Sequence, residues 1–273
     1  MPELPEVETT RRGIAPALEQ QKITAVIVRN KKLRWIVPIE ISRDLAGQTV
    51  QKVQRRGKYL LLACDTGTVI IHLGMSGSLR ILSVAIAANK HDHVDLIFGK
   101  QCLRFNDPRR FGCVLWTQKD ALLHPLLKNL GPEPLSTAFS GSYLFRCANK
   151  RHVPIKNFLM DSSIVVGVGN IYANEALFIA GIHPQQAAGS ISLAQFQCLA
   201  KTIKEVLRAA IKQGGTTLRN FSNSDGKPGY FKQKLNVYGR GGLACLTCKT
   251  ILEEIRLGQR STVYCPQCQI LTL

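Results

Sequence analysis

Four cysteines near the end of the chain constrain the fold more than any other feature. Cys245 and Cys248 form one C-x2-C pair, Cys265 and Cys268 form another, and sixteen residues separate the pairs. That spacing suits a four-thiolate zinc site, in which two tight knuckles each deliver two sulfurs at roughly 2.3 Å from one ion. Ile251 to Tyr264 is long enough for two short antiparallel strands, so the tail from Val237 to Leu273 reads as a metal-stapled β-hairpin. Four thiolates leave no open coordination position, so one structural zinc ion is expected, with no chemistry of its own. It would hold other groups in place, and Arg256 and Arg260 on the hairpin are the candidates.

Charge comes next. Thirty-six Lys and Arg against 18 Asp and Glu give a net +18, an excess that favours a polyanion partner and, beside a zinc hairpin, nucleic acid. The 273 residues are enough for two domains plus the appendage, and 45% hydrophobic content supports proper cores. No run of 18 or more apolar residues is present. The start, MPELPEVETT, has acids before its first arginine and no apolar stretch, so it does not read as a signal peptide. Cys64, Cys102, Cys113, Cys147 and Cys198 are scattered and odd in number, as expected of free thiols in a reducing cytoplasm.

In chain order, Pro5, Glu6 and Glu8 suit the first turn of a helix. Val7, Ile14 and Leu18 continue it at helical spacing, with Gly13 and Pro16 weakening its end. Pro2-Glu3 lies outside that helix. Either it is a plain cap, or, once Met1 is removed, it offers a terminal secondary amine with an ordinary pKa of roughly 7.7–8.0 beside a carboxylate. Such an amine can attack a sugar C1′ and form an imine-type intermediate. From Lys22 to Trp116 short β-branched or aromatic runs predict strands: Ile23–Val28, Val50–Cys64, Val69–His72, Val94–Phe98 and Leu103–Phe105. A β-sandwich with the first helix laid against it follows. Trp35–Pro38 and Ser83–Lys90 read as loops.

Three loops carry more chemistry than a connector needs. Gln54-Arg-Arg-Gly-Lys-Tyr59 puts three cations around a glycine, where Lys58 can reach a phosphate or the run can simply be solvated. His72-Leu-Gly-Met-Ser-Gly77 sets Met75 between two glycines, and Asp107-Pro-Arg-Arg-Phe-Gly112 puts Arg109, Arg110 and Phe111 at a turn. Apolar wedges and arginines on loops are what proteins push into a duplex. His91-Asp-His-Val-Asp95 tempts a second metal reading, but these residues are taken as structural, with His91 kept as a DNA-contact candidate.

Gly131-Pro-Glu-Pro134 is the expected domain boundary. Beyond it Ser142–Ala148, Ile155–Met160, Ile171–Ala180 and Leu193–Lys212 predict helices. The last carries Phe196, Leu199, Ile203, Val206, Leu207 and Ala210 on one stripe and ends at Gly214-Gly215. Val166-Gly-Val-Gly-Asn170 opens a helix with glycines and amide donors, a ready phosphate seat to which Asn170 adds a donor. Phe221–Tyr230 is too polar and glycine-rich to pack, and reads either as a lid or as disorder.

Together MPELPEVET, QRRGKYL, HLGMSGSLR, DPRRFG, VVGVGNIYANEALFIAGIHP, QGGTTL, SDGKPGYF and the terminal cysteine pattern strongly resemble bacterial formamidopyrimidine-DNA glycosylase, over the full length and in the family's order. The resemblance implies an α+β multidomain chain: an N-terminal β-sandwich catalytic domain with a long helix (1–131), a helix-two-turn-helix domain (132–236) and a zinc finger (237–273). It implies excision of oxidised purines such as 8-oxoguanine from duplex DNA, followed by β,δ-elimination. By position, Pro2 would be the nucleophile, Glu3 the acid assisting sugar opening, and Lys58 a catalytic phosphate contact. Asn170, Tyr238 and Arg260 would grip phosphates flanking the lesion, Arg260 belonging to the catalytic set as well, and Met75, Arg109 and Phe111 would fill the vacated stack. His72 matches a DNA-contacting histidine, Arg110 sits in the same motif as Arg109, and Lys156 matches a lysine linked to oxidised-base recognition. Ser222–Tyr230 would cover the extruded base. Gly57 stands where alanine is common, and Asn157-Phe158 where Pro-Trp is common, neither touching the chemistry.

The nearest alternative is the related endonuclease VIII branch for oxidised pyrimidines, whose start usually reads PEGPE where this chain has Leu4. A non-catalytic zinc-ribbon DNA-binding protein is the other, and it has no need of a free N-terminal proline. A cytoplasmic monomer acting on damaged double-stranded DNA is expected.

Overall fold

The computed structural model describes residues 2–214 and 235–271. The chain divides into two compact units, the first running to Asn129 and the second starting at Leu130 and including the cysteine-rich tail. The break falls just before the expected Gly131–Pro134 boundary.

The first unit opens with α1 (Leu4–Leu18), then β1 (Ala25–Val28), α2 (Ile41–Leu45), β2 (Val50–Arg56), β3 (Tyr59–Cys64), β4 (Thr68–His72), β5 (Ser78–Ser83), β6 (Asp92–Phe98), β7 (Gln101–Asn106) and β8 (Cys113–Thr117). Two antiparallel four-stranded sheets form, in the orders β1-β6-β7-β5 and β2-β3-β4-β8. Val94, Leu96, Leu103 and Phe105 of one sheet share a core with Leu60, Leu62, Val69 and Ile71 of the other, and Val7, Ile14 and Leu18 of α1 join it. Each fully buried aliphatic here contributes about 1.5–3 kcal/mol. The sandwich is therefore as expected, with two strands (β5 and β8) and a short helix (α2) that the sequence pattern did not reveal. The expected Val50–Cys64 run is a hairpin closed by Arg56 opposite Tyr59, with Gly57 at φ +58 in its two-residue turn.

At the start of helix α1 the cap reading of Pro2-Glu3 holds. Glu3 is its N-cap: the Glu3 side chain and the Glu6 side chain form a capping box, with the Glu3 N–H donating to Glu6 Oε2 at 2.9 Å. Pro2-Glu3 thus has a structural role as well as a chemical possibility. The helix also runs through Pro16, which lies in its last turn.

Polar burial is concentrated on carboxylates. Glu8 on α1 accepts from Arg11 at 2.9 and 3.0 Å, from Arg12 at 2.8 Å and from Arg55 of β2 at 3.2 Å. On the β1-β6-β7-β5 sheet, Asp95 is shared by Arg29 and Arg104, and Asp92 binds Arg80 and Asn106. Asp92, His93 and Asp95 of the His91–Asp95 motif are thus engaged by the fold.

The second unit contains α3 (Gly141–Ala148), α4 (Ile155–Met160), α5 (Asn170–Ile179), α6 (Leu193–Lys212) and a hairpin of β9 (Glu253–Leu257) and β10 (Arg260–Tyr264). Helix α6 has the predicted span and buries Phe196, Leu199, Ile203, Leu207 and Ala210 of its stripe. Helix α5 is buried from Ile171 to Phe178, the centre of this unit. Phe178 then joins Val237, Leu252, Val263 and two cysteines in the small core of the tail.

Burial alone would raise the pKa of Glu8, but hydrogen bonds from Arg11 and Arg12 and the charges of Arg11 and Arg55 outweigh it and hold the group at about 2 instead of 4.5. A depressed carboxylate pKa stabilises the fold fully above the unfolded value and ceases to do so as pH falls through the folded one. Glu8→Gln should therefore remove up to about 3 kcal/mol at pH 7 and flatten the acid limb of stability between pH 4.5 and 2. Urea unfolding measured across that range checks it; parallel acid limbs for the two proteins would contradict the assignment.

Candidate functional site

In the first unit two loops are welded into one platform. Asp107, fully buried, accepts from Ser76 Oγ at 2.8 Å and from the Gly112 N–H at 2.8 Å. Ser76 Oγ in turn accepts from the Arg109 N–H at 3.3 Å, and His93 Nε2 lies 2.8 Å from the Asp107 carbonyl. Backbones also touch: a Cβ on Gly74, whose φ is +62, would lie 2.5 Å from Gly112 N and from Phe111 C. Only glycine permits that approach.

From this platform Met75 and Phe111 protrude, 37% and 41% exposed, with Arg109 and Arg110 also exposed. The Arg109 guanidinium lies 4.9 Å from the Phe111 ring centroid, and Arg110 takes the left-handed conformation at φ +57. Sequence-predicted Met75, Arg109, Arg110 and Phe111 are thus brought together. His91 is half-buried against His93, with ring centroids 6.5 Å apart, and its carbonyl accepts from the Asp107 N–H at 3.0 Å. Its visible work is to brace the platform.

His72 ends β4 with its ring 4.8 Å from that of Tyr59, and its Nδ1 accepts from the Gly74 N–H at 3.0 Å. Burial, then the charges of Lys58 and Arg34, push its pKa down to about 4. At neutral pH it is therefore an uncharged imidazole whose Nε2–H remains to donate. Lys58 stands half-buried in the β2–β3 turn. Arg55, read as one of three cations at that turn, is instead held by Glu8 and by the Gly57 carbonyl at 2.9 Å. Pro2 and Glu3 are both buried at the start of α1.

The second unit builds its site on the tail. The four cysteine sulfurs lie within 4.8 Å of one another. A tetrahedron with bonds of roughly 2.3 Å has edges of about 3.8 Å, so the set fits one zinc ion. The Thr247 and Cys268 N–H groups point at Cys245 and Cys265 sulfurs at 3.4 Å each, as knuckle turns around a thiolate do.

Helix α5 positions this module through residues that sequence reasoning missed. Glu175, buried, accepts from the N–H groups of Asn236, Val237 and Tyr238 at 2.7, 2.9 and 2.9 Å, and from Asn236 Nδ2 at 2.9 Å. Asn174 Oδ1 accepts from the Val263 N–H at 3.0 Å, and Gln269 links the Cys265 N–H to the Ile182 carbonyl. Two polar residues side by side in an otherwise apolar predicted helix hint at a buried role, but not at which partners they take.

Asn170, first residue of α5, donates to the Ser261 carbonyl at 3.0 Å, and Tyr238 is half-buried in the segment that Glu175 caps. Arg260 is exposed at the first position of β10, after a turn in which Gly258 and Gln259 have φ +54 and +62. Lys156 requires a correction. It is fully buried, and its Nζ donates to the Ser261 carbonyl at 3.1 Å and Thr262 Oγ1 at 2.5 Å. It ties α4 to β10 and presents no surface for a direct DNA contact. The Ser222–Tyr230 stretch lies outside the described residues.

A sandwich unit carrying a wedge platform, followed by helices and a zinc finger, defines the architecture of a DNA glycosylase of the helix-two-turn-helix class. Three family profiles match in chain order: formamidopyrimidine-DNA glycosylase N-terminal domain over residues 1–114, formamidopyrimidine-DNA glycosylase H2TH domain over 130–222, and the zinc finger found in FPG and IleRS over 242–270. Formamidopyrimidine-DNA glycosylase of Marinobacter nauticus is 60% identical over 270 residues, covering 98% of this chain and 100% of the relative. Among solved structures, a Lactococcus lactis FPG mutant in complex with Fapy-dG-containing DNA aligns with a TM-score of 0.92 at 33% identity, over 98% of this chain and 100% of that one. The MutM (FPG) protein from Thermus thermophilus aligns at 0.89 and 37% identity over 100% of both chains. The chain belongs to the formamidopyrimidine-DNA glycosylase family.

Two outcomes follow from the geometry. Gly74→Ala should cost about 2 kcal/mol or more through strain and overlap, whereas Gly99→Ala, at φ +58 with nothing within 4 Å of its Cβ, should cost only about 1 kcal/mol. Equal losses in chemical denaturation would show that the platform does not need the close approach. Cys248→Ser should lose the metal and weaken DNA binding while the sandwich unit still unfolds cooperatively. A zinc-free variant that binds DNA as tightly as the parent would contradict a positioning role for the metal.

Proposed function

We propose that this chain is a bifunctional DNA glycosylase and abasic-site lyase that removes oxidised purines from duplex DNA through its N-terminal proline. Family membership across the full chain carries this reading. The wedge platform supports it, because a base inside a duplex must leave the stack before chemistry can reach its sugar. Met75 and Phe111 would occupy the vacated space, and Arg109, a donor only, would face the base opposite the lesion.

With Met1 removed, the Pro2 nitrogen lone pair bonds to C1′ as the C1′–base bond breaks, the base leaving with that electron pair and taking a proton from water. The attached nitrogen sheds its own proton, the sugar ring opens with protonation of O4′ by Glu3, and an iminium remains. Its fixed positive charge acidifies C2′, which permits β- and then δ-elimination. Lys58 holds a phosphate near this centre as a point charge, and His72 adds a neutral donor. Asn170, Tyr238 and Arg260 are proposed to bind phosphates flanking the lesion, with zinc fixing the hairpin that carries Arg260. Lys156 acts through that hairpin, as a positioning residue. The proposed functional division is 1–131 for chemistry, 132–236 for the helical DNA-binding region and 237–273 for the finger. The chain is proposed to work as a monomer in the cytoplasm, on the nucleoid; no helix among the described residues is long and apolar enough to cross a membrane.

Borohydride should reduce the iminium and freeze protein onto a lesion-bearing oligonucleotide, with the cross-link mapping to residue 2 by peptide mass. A lysine at its ordinary pKa of roughly 10.4 is almost fully protonated at pH 7, whereas a terminal amine near 8 is roughly a tenth free. Glu3→Gln should block base excision while part of the β-elimination at a preformed abasic site survives. A cross-link that forms with Met1 retained, or that maps to Lys58, would remove Pro2 from the mechanism.

A further inference from the structure

Between β1 and α2 the chain forms a closed loop to which the reading above gives no task. The N–H groups of Leu33 and Val37 both donate to the Lys31 carbonyl at 3.0 Å, and Asn30 Oδ1 accepts from the Lys32 N–H at 2.9 Å. Leu33 and Val37 are buried in the sandwich core and pin the loop at two points. Lys32, Arg34, Trp35 and Ile36 stand exposed, Ile36 to 70%. A loop that anchors some side chains and displays others in a fixed frame is built to present the displayed ones.

What it presents is charge beside the wedge. Lys32 and Arg34 line a recess of about 670 Å³ together with Arg109, Arg110 and Phe111, and no carboxylate is among the described residues that line it. Arg11, Arg12, Arg29, Arg55, Arg80 and Arg104 are each held by a buried or half-buried acid, whereas no ion pair of the described residues involves Lys32 or Arg34. Four like charges around one recess repel one another unless an anion comes between them. Several cations with an aromatic ring, spread along a groove, suit a sugar-phosphate backbone better than a single small anion.

We propose that Lys32 and Arg34 bind phosphodiester groups of the DNA strand opposite the lesion, which makes residues 31–37 a third DNA-contacting loop beside 72–77 and 107–112. The choice of strand rests on the reading above, in which Arg109 faces the opposite base, because Arg109 lines the same recess. Releasing counterions from two phosphates steepens the salt dependence of binding by about 0.9 per contact. Between 50 and 200 mM salt each contact therefore accounts for about a 3.5-fold fall in affinity, and two for about twelvefold.

The test compares a Lys32→Ala/Arg34→Ala double variant with the parent, using a lesion duplex titrated across that salt range. The double variant should show a fall about twelvefold smaller than the parent's. Lys100→Ala, which removes one exposed charge from the β6–β7 turn, should leave the slope unchanged, and the charge-keeping Lys32→Arg/Arg34→Lys pair should restore it. Neutral methylphosphonates in the opposite strand should erase the difference between parent and double variant; the same groups in the lesion strand should leave it intact. A double variant with the parent's slope, or a difference erased only by lesion-strand methylphosphonates, would overturn the inference. In either case a parent that still incises the duplex and is trapped at Pro2 keeps the enzymatic reading, so the two failures are distinguishable.

Discussion

A carboxylate survives burial only when donors surround it, and this protein uses that constraint to shape both units. Glu8 joins α1 to β2, Asp95 and Asp92 bind arginines across β1, β6, β7 and β5, Asp107 joins the two wedge loops, and Glu175 holds the segment that leads into the zinc module. Each accepts from more than one partner, so each fixes the relative position of chain segments far apart in sequence. With 18 acids against 36 bases, the few acids spent inside decide which cations remain for a ligand. Arg55 and Arg104 are taken up by the fold. Arg109, Arg110 and Arg260 are displayed.

Display needs rigidity, and the two units obtain it differently. The wedge platform is rigid because glycine backbones meet backbones: a Cβ on Gly112 would lie 2.4 Å from the His72 carbonyl oxygen, and Gly74 admits none against Phe111. The loops cannot separate without breaking the Asp107 bonds as well. The tail has too few apolar residues for such a solution. Its core is Phe178, Val237, Leu252, Val263 and cysteines, one of these borrowed from α5. So small a core rarely folds alone, and a metal whose binding free energy is also folding free energy supplies the difference. The hairpin turn that carries Arg260 is then fixed from one side by zinc and from the other by Lys156 and Asn170 on the Ser261 carbonyl.

Much of this was legible in the sequence where chemistry is local. Cysteine spacing gave the metal site, and the 3.6-residue stripe gave α6 its full span. The quoted motifs, taken jointly, carried the family. What escaped were residues whose roles depend on distant partners. Lys156 looks like any surface lysine until α4 is packed beneath β10. Arg55 is indistinguishable from Arg56 until Glu8 arrives from α1. Glu175 sits in a run that reads as an apolar helix, and nothing near it in sequence announces four donors from residues 236–238. Strands β5 and β8 were hidden for a different reason: each follows directly on a loop, 72–77 or 107–112, whose glycines or proline read as a turn.

The capping box at the start of α1 bears on the proposed chemistry as well as on the fold. A secondary amine that attacks C1′ ends with a proton it must lose, and opening the sugar needs a proton at O4′. One carboxylate adjacent in sequence can serve both needs, taking the proton from nitrogen and delivering it to oxygen, so that no net acid is consumed. This requires the carboxylate and the amine to stay in register through both transfers. Glu6 supplies that constraint by accepting from the Glu3 N–H, which fixes the backbone between the two groups at the end of a buried helix. The same helix is held to β2 through Glu8 and Arg55, whose other bond is to the Gly57 carbonyl beside Lys58. The proposed nucleophile, its proposed proton carrier and Lys58 are in this way attached to one rigid element, and the fold's ionic network is what sets their spacing.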